Sequence, residues 1–435
     1  MEWRRVAPSL NGQDGVSPSA MLRRLILATS ISALAGSSIR AANDEWPQFR
    51  GPTGEGISEA KNVPVQWSAD ANIAWKVEVP GKGWSSPVLS HGKLYLTSAV
   101  TEAEGAVSLH ALCFDAATGK TLWDTEVIKP DPAAVAKMHQ KNSPASATPI
   151  VTDDRLYVHF GHMGTAALDL TGKVVWKQTE LAYSPVHGNG GSPLLVDGLL
   201  VFGCDGDSDP LLAALDAKTG EVRWKTPRNS PAKKHFSFCT PQAIQVDGQT
   251  EIISPCSGFV GGYGLDGHEI WRVRYGEGYS VVPRPVYSHG LLFISSGFDS
   301  PVLYAINPTG AKEDATDTKI AWTQRKGAPC TPSTLAVGDD LYFVSDGGIA
   351  TCADIKTGQT HWTERLGGGF SASPFLAEGR VYFLNESGVS FVINAAETYQ
   401  LLAKNDLGER ALASCVPVDG GLYIRTDSHL WKVGK

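Results

Sequence analysis

The sequence predicts an all-β fold, an eight-bladed β-propeller. Three observations support this prediction. A turn motif followed by tryptophan recurs along the chain, a hydroxyl-Pro marker recurs in phase with it, and each interval between markers divides into short apolar segments. The 435 residues include 46 glycines and 26 prolines, a composition that suits many short strands joined by turns. Repeats of about 40–50 residues are typical of propellers.

The first repeated feature is an Asp-x-x-Thr-Gly turn with a tryptophan eight residues after the aspartate. It begins at Asp115, Asp216 and Asp354, and looser copies extend the series. In such a turn the Asp and Thr side chains bond their own backbone, while glycine takes a positive φ. The tryptophans in this position are Trp75, Trp123, Trp176, Trp224, Trp271, Trp322 and Trp362.

The second repeated feature is a Ser or Thr followed by proline and then by alternating apolar residues. We interpret each copy as the start of the innermost strand of a blade. Arg284-Pro285 and Ser414-Cys415 depart from the pattern but keep the phase. The regular copies are Ser86-Pro87, Thr148-Pro149, Ser192-Pro193, Thr240-Pro241, Thr331-Pro332 and Ser373-Pro374.

Each interval between markers divides into four strands. In the first interval they are predicted at 87–90, 94–98, 107–114 and 121–127, with turns between them. Four antiparallel strands make one propeller blade, and a ring of blades covers both apolar faces of every sheet.

The two chain ends are predicted to meet in one blade. The last repeat ends at Leu430-Trp431 after three strands, whereas an unassigned strand, 72–79, precedes the first repeat. Trp75 stands where a fourth-strand tryptophan belongs. The N-terminal strand is therefore expected to complete the eighth blade and close the ring.

The repeat resembles the tryptophan-docking motif of the pyrroloquinoline-quinone (PQQ) propeller family, and the resemblance covers residues 72–433. It implies that the seven tryptophans are structural and pack against the neighbouring blade. Relatives of two kinds are relevant, the quinoprotein dehydrogenases and the outer-membrane assembly factor BamB. The segment 46–56 also resembles the leader of many bacterial PQQ-like repeat proteins.

The first forty residues predict export. A basic start at 21–24 precedes an apolar run, 25–35, and a plausible cleavage site at 39–41, which is typical of a signal peptide. We therefore predict a leader at 1–41, starting at Met1 or Met21, an N-terminal extension at 42–71 and the propeller at 72–435, located in the periplasm or outside the cell. Ser37 stands where a lipoprotein would carry cysteine, so neither a lipid anchor nor a transmembrane segment is expected.

No catalytic residue is predicted, and the net charge of −7 argues against a nucleic-acid partner. The resemblance to quinoprotein dehydrogenases implies an adjacent cysteine pair over PQQ and a calcium ion beside an aspartate, but the seven cysteines include no adjacent pair. PQQ and calcium are therefore disfavoured as cofactors. The carboxylates at 205, 207 and 209 form either a calcium loop or, as we prefer, a polar turn. His159 and His162 form either an imidazole pair or buried blade histidines.

The connections that precede the markers are the candidate binding surface. They run from an outer strand to the next inner strand and therefore reach the central channel. They carry aromatic, imidazole and cationic side chains, which suit a polar ligand or a peptide, although solvated loops are the plainer interpretation. The candidates are Trp84, His139, Asn142, His187, His235, Arg284 and Arg410.

These features together predict an exported, non-enzymatic scaffold that binds a protein or peptide partner, with a role in cell-envelope or outer-membrane protein assembly. The alternative is an enzyme, PQQ-dependent or using another small ligand, that works at the channel face.

Overall fold

Eight antiparallel sheets of four strands, two of them extended by one short strand, are arranged in a ring and confirm the eight-bladed β-propeller. The computed structural model describes residues 45–136 and 138–435. The predicted leader, 1–41, lies outside the described residues. Within the described part of the chain, no helix is both long and apolar enough to cross a membrane.

Blades 1 to 4 follow one another along the chain, each running from its innermost to its outermost strand. Their strands are Val88–Ser90, Lys93–Thr101, Val107–Asp115 and Thr121–Ile128 in blade 1, Ile150–Val151, Leu156–His159, Thr165–Leu168 and Val174–Gln178 in blade 2, Leu194–Val196, Leu199–Cys204, Leu211–Asp216 and Val222–Pro227 in blade 3, and Gln242–Val246, Gln249–Cys256, Phe259–Tyr263 and Glu269–Arg274 in blade 4.

Blades 5 to 8 complete the ring. Short helices, Pro132–Val135 and Thr316–Lys319, and 3-10 turns, Ala103–Gly105 and Gly161–Met163, lie in the connections. The strands are Val286–Ser288, Leu291–Ser295, Leu303–Ile306 and Ile320–Gln324 in blade 5, Leu335–Val337, Asp340–Val344, Ile349–Asp354 and Thr360–Arg365 in blade 6, Phe375–Ala377, Arg380–Leu384, Val389–Asn394 and Leu401–Asp406 in blade 7, and Val416–Val418, Gly421–Arg425, His429–Gly434 and Ile73–Glu78 in blade 8.

The core of the molecule lies between the blades. Eight apolar clusters are found among the described residues, and each draws its side chains from two neighbouring blades. One of them joins Leu89 and Leu94 of blade 1 to Tyr423 and Leu430 of blade 8. A sheet with two apolar faces needs a partner on both sides, and the ring supplies one to every blade.

The eighth blade joins an early strand of the chain to its last one. Ile73–Glu78 pairs antiparallel with His429–Gly434, with Lys76 opposite Trp431. The N-terminal strand is the outermost strand of the sheet, and its residues alternate between half-buried and exposed. Such alternation is expected of a strand with one face on the core and one in solvent.

Five of the seven repeat tryptophans donate their indole N–H to a carbonyl of the next blade. Four of them, Trp123, Trp176, Trp224 and Trp322, also lie against the turn glycine of that blade. The bonds run from Trp123 to Leu170, Trp176 to Ala217, Trp224 to Leu265, Trp322 to Ile355 and Trp362 to Ala396, over 2.9–3.2 Å.

Trp271 departs from the expected docking position. It is fully buried, and its indole N–H donates to Glu251 of its own blade over 2.7 Å. The polar insertion that follows the turn of blade 5 explains the difference, because Glu313–Asp314 adds a parallel strand beside Trp271. Trp75 lies against Gly119 of blade 1, but its buried indole nitrogen has no hydrogen-bond partner.

Candidate functional site

A ring of hydroxyl groups lines the central channel. In seven of the eight blades, the residue two positions before the innermost strand donates its backbone N–H to the side-chain oxygen of the equivalent residue in the next blade, over 2.9–3.0 Å. We call these seven side chains the hydroxyl ring; they are Ser86, Thr148, Ser192, Thr240, Ser333, Ser373 and Ser414.

Blades 5 and 6 depart from the regular ring, and blade 6 also differs from the sequence prediction. In blade 6 the ring residue is Ser333 rather than Thr331, because Leu335 begins the inner strand and the ring residue stands two positions before a strand. Thr331 instead bonds Asp346. Blade 5 has Arg284 in the ring position, and since arginine has no hydroxyl, Thr240 lacks the bond that the other members make.

The N-terminal extension crosses the channel on one side of the ring. We call residues 46–58 the N-terminal plug. Trp46 bridges to Leu89 of blade 1, and Ile57–Ser58 pairs in parallel with Leu376 of blade 7. Between these ends the plug makes hydrogen bonds to Val151, Gln242, Arg284 and Thr334, in blades 2 and 4 and just before blades 5 and 6.

The plug changes the role expected of Arg284. The side chain was predicted on the binding face, but it is only 2% exposed and donates to the carbonyl of Phe49 over 2.6 Å. Gly54 packs directly on its guanidinium. Arg284 therefore anchors the plug and is not available to a partner at the surface.

Three ionisable groups are buried around the plug. Arg50 and Arg284 both lie near Glu55, whose carboxylate accepts a hydrogen bond from Gln242. Burial lowers the pKa of each arginine to about 10, and burial also raises the pKa of Glu55 despite the two cations. Two guanidinium groups thus share a single carboxylate.

On the other side of the ring the channel opens into a central cavity of about 510 Å³. All seven members of the hydroxyl ring line it, together with Phe49 of the plug. Apart from Arg284, the residues that the plug bonds follow the ring positions, whereas the mouth is formed mainly by residues that precede the ring positions. The cavity therefore opens at the mouth and has the plug at its far end.

Five aromatic rings follow one another around part of the mouth. Successive ring centroids lie 5.4–6.2 Å apart. Phe298 ends the series and is 55% exposed, which makes it the most exposed of the large apolar side chains described. We call this series the aromatic crescent; its members are His139, His187, Phe236, Tyr279 and Phe298.

Charged side chains stand beside the crescent. Lys234 lies over the Tyr279 ring, with its Nζ 3.8 Å from the centroid. Lys141 bonds Glu386 over 2.7 Å across the mouth. Burial lowers the pKa of His187, and His139 beside it adds to the effect. The imidazole of His187 is consequently neutral at pH 7.

The structure brings together four of the seven candidate binding residues. Trp84, His139, Asn142 and His187 line the cavity. Arg410 stands outside the lining, with its guanidinium 5.2 Å from the Trp84 ring. His235 is half-buried and also lies outside the lining.

The sequence prediction missed Phe49, Phe298 and the hydroxyl ring as parts of the cavity lining. The markers were visible as strand starts, but nothing local shows that their side chains converge. Phe49 comes from the extension, whose return into the channel has no periodic signal.

One member of the acidic loop, Asp205, and one of the histidine pair, His159, are buried. Asp205 is buried and forms a bidentate pair with Arg228, over 3.0 and 2.9 Å, while Asp207 and Asp209 are exposed. Nδ1 of His159 is 2.8 Å from the Thr165 hydroxyl, inside blade 2. Outside the cavity, one described group has metal-ligand spacing, namely Asp340, His361 and Glu397.

Known proteins resemble the chain in fold and in part of its sequence. A quinohemoprotein alcohol dehydrogenase, ADH IIB of Pseudomonas putida, is 29% identical over 220 residues, which are 47% of this chain and 30% of that protein. The chain thus spans less than a third of that relative's length.

The chain is also similar to solved structures. The computationally designed Ika8 protein is 12% identical and has a TM-score of 0.58, with 83% of this chain and all of that chain covered. BamB from Moraxella catarrhalis is 14% identical, with a TM-score of 0.41 and coverage of 82% and 96%.

The family described as outer membrane protein assembly factor BamB matches residues 57–179 and 302–406. These stretches include blades 1, 2, 6 and 7 and parts of blades 5 and 8, slightly more than half of the chain. The tryptophan-docked repeat, the eight-bladed ring and this match agree, and the chain belongs to the BamB-like family of PQQ-type β-propellers.

Proposed function

We propose that this chain is an exported scaffold that binds a protein or peptide partner at the mouth of its central cavity, in the assembly of envelope proteins. The observation that carries the proposal is the aromatic crescent. Three of its members, His139, His187 and Phe298, are exposed, and exposed aromatic side chains grouped around a concave surface are typical of protein recognition. The family match to an assembly factor supports the same role.

Of the crescent residues, Phe298 is expected to contribute most to the binding free energy of a partner, because it is the most exposed apolar one. Removing one central aromatic side chain from an interface typically costs about 2 kcal/mol or more, which corresponds to a loss in affinity of roughly thirtyfold. Phe298→Ala should therefore reduce the capture of envelope proteins by the immobilised propeller.

Leu401→Ala is the matched control. Leu401 is 45% exposed on the outer strand of blade 7, away from the cavity lining. Quantitative mass spectrometry of the captured proteins should show a partner that is depleted by Phe298→Ala and retained by Leu401→Ala. Equal capture by both variants and the parent protein would contradict the proposal.

A second candidate function is small-ligand chemistry in the cavity, which the quinohemoprotein relative favours. A volume of about 510 Å³ falls within the range of roughly 300–1,000 Å³ of small-molecule sites. The lining does not fit a calcium-bound quinone, however. Among its described residues the one carboxylate is Asp346, which already accepts hydrogen bonds from Cys330 N, Thr331 N and the Thr331 hydroxyl.

Titration with PQQ and calcium distinguishes the two functions. Stoichiometric quenching of tryptophan fluorescence together with dye-linked alcohol oxidation would favour the enzyme. We expect neither response.

A further inference from the structure

The hydroxyl ring holds unused hydrogen-bond donors. A serine or threonine hydroxyl has one hydrogen to donate and can accept as well. Each ring oxygen accepts one backbone N–H, and within the described part of the chain none of the seven donates to a protein acceptor. Seven O–H groups are thus available to an occupant of the cavity.

The surroundings of the ring carry excess positive charge. Arg425 is 2% exposed and donates to the Ser85 carbonyl, the Ser85 hydroxyl and the Thr97 carbonyl, all of them neutral. Its Nε is buried and has no partner. Ser85 directly precedes ring member Ser86, so this cation stands beside the ring.

Arg284 and Arg50, with Glu55 between them, add a second unbalanced charge. Buried cations normally have an anion nearby, because burying a charge without one is costly. The two observations, free donors and excess buried cations, both favour an anionic group as the occupant.

The plug limits which parts of a partner can enter the central cavity. A polypeptide cannot thread through the channel, because the plug lies across the far side of the ring from blade 1 to blade 7. A chain end can still reach the ring from the mouth. An N-terminal ammonium would add a positive charge, whereas a C-terminal carboxylate supplies the missing negative one.

From these steps we infer that the cavity receives the C-terminal carboxylate of a partner polypeptide, with the hydroxyl ring donating to the carboxylate oxygens and the aromatic crescent contacting the apolar residues that precede it. This inference rests on the proposed function, since it specifies the part of the partner that is bound. Capture of a chain terminus by converging donors is a known form of peptide recognition.

The test uses an equimolar pool of randomised hexapeptides, one half with free carboxylates and the other half with C-terminal amides. Captured peptides are quantified by mass spectrometry. We expect the free acids to be enriched about tenfold or more, because a hydrogen bond to a charged group is worth roughly that factor. Equal capture of acids and amides would overturn the inference.

Variants of Ser373 separate binding from folding. Ser373→Ala removes one hydroxyl donor and should lower the enrichment of free acids severalfold. Ser373→Thr keeps the hydroxyl and should keep the enrichment of the parent protein, because threonine occupies the equivalent position at Thr148 and Thr240. Melting temperatures report whether each variant folds. If both folded variants give the enrichment of the parent protein, the ring is not the carboxylate site.

Competition with succinate distinguishes a chain end from a free small carboxylate. Displacement of the peptides by succinate only at a large molar excess supports the polypeptide end, and displacement at equal concentration overturns it. If Phe298→Ala abolishes partner capture while acids and amides bind equally, the proposed function stands and the carboxylate inference fails.

Discussion

At the residue scale, His159 shows how burial determines the charge of a side chain. It is 1% exposed, its ring lies 4.3 Å from that of Phe202, and its Nε2 has no hydrogen-bond partner. Burial, with a smaller contribution from His162, lowers its pKa to about 3. The native protein therefore holds a neutral imidazole at this position far below neutral pH.

This depressed pKa predicts a loss of stability in acid. The unfolded chain takes up a proton near pH 6.5 and the folded chain only near pH 3, so the stability that depends on a neutral His159 falls as the pH decreases between these values. Between pH 7.5 and pH 5 the contribution of this group amounts to about 2 kcal/mol. His159→Gln should remove this part of the pH dependence in urea unfolding.

Thr165→Val is the control for that experiment, because it removes the hydrogen-bond partner of His159 and leaves the titrating group. Thr165→Val should change the free energy of unfolding by a similar amount at pH 7.5 and at pH 5. An unchanged pH dependence in His159→Gln would show that other groups cause the acid response.

Trp224 represents the docking tryptophans at the same scale. It bonds Leu265 over 2.9 Å and covers Gly267 of the next blade. Trp224→Ala should lower the free energy of unfolding by about 3 kcal/mol, since it leaves a cavity between two blades. Trp224→Phe should cost about 1 kcal/mol, the value of the hydrogen bond. Equal, small losses in both would mean that the indole contributes little to blade packing.

At the element scale, the N-terminal plug depends on close approach of its backbone to the blades. Gly54 has a φ of +77°, and a Cβ at this position would lie 2.5 Å from the guanidinium carbon of Arg284. Both features require glycine, because other residues are strained at this φ and would displace a buried cation.

Gly54→Ala should therefore destabilise the protein more than Gly92→Ala. Gly92 also has a positive φ, +66°, but nothing lies within 4 Å of a Cβ added there. Both variants pay the backbone strain of about 1 kcal/mol, and the clash at Gly54 adds roughly 1–3 kcal/mol. Thermal unfolding measures the difference, and identical melting temperatures would show that the plug tolerates displacement.

The same elements show what the sequence could predict. The strands of blade 1 follow from alternating apolar residues and turn glycines, and the structure places them within a few residues of the predicted bounds. Thr331-Pro332 misled the assignment in blade 6, because it looks like the marker while Ser333 makes the ring bond. Arg284 looked like an exposed loop cation, and only a contact with Phe49, 235 positions away, buries it.

At the scale of the whole molecule, the N-terminal region has two separable roles, crossing the channel and completing blade 8. A chain beginning at residue 60 lacks the plug but keeps the strand Ile73–Glu78. A chain beginning at residue 80 lacks both and exposes the edge of His429–Gly434. Exposed sheet edges promote association between molecules.

We therefore expect the first truncation to keep the association state of the parent protein with a lower melting temperature, and the second to associate further. Light scattering after size-exclusion chromatography measures the association state, and thermal unfolding measures the melting temperature. A second truncation with the association state and melting temperature of the first would mean that blade 8 does not need the strand Ile73–Glu78.

The pairing of Ile73–Glu78 with His429–Gly434 also determines when the ring of blades can close during synthesis and folding. During synthesis Ile73–Glu78 emerges before blades 1 to 7, whereas its partner His429–Gly434 follows them. Native contacts of such long sequence separation form late and slow the folding of a chain. Every nascent intermediate that lacks His429–Gly434 therefore has Ile73–Glu78 unpaired, and the ring can close only after His429–Gly434 has left the ribosome. A chain that terminates before this strand has no closed native state.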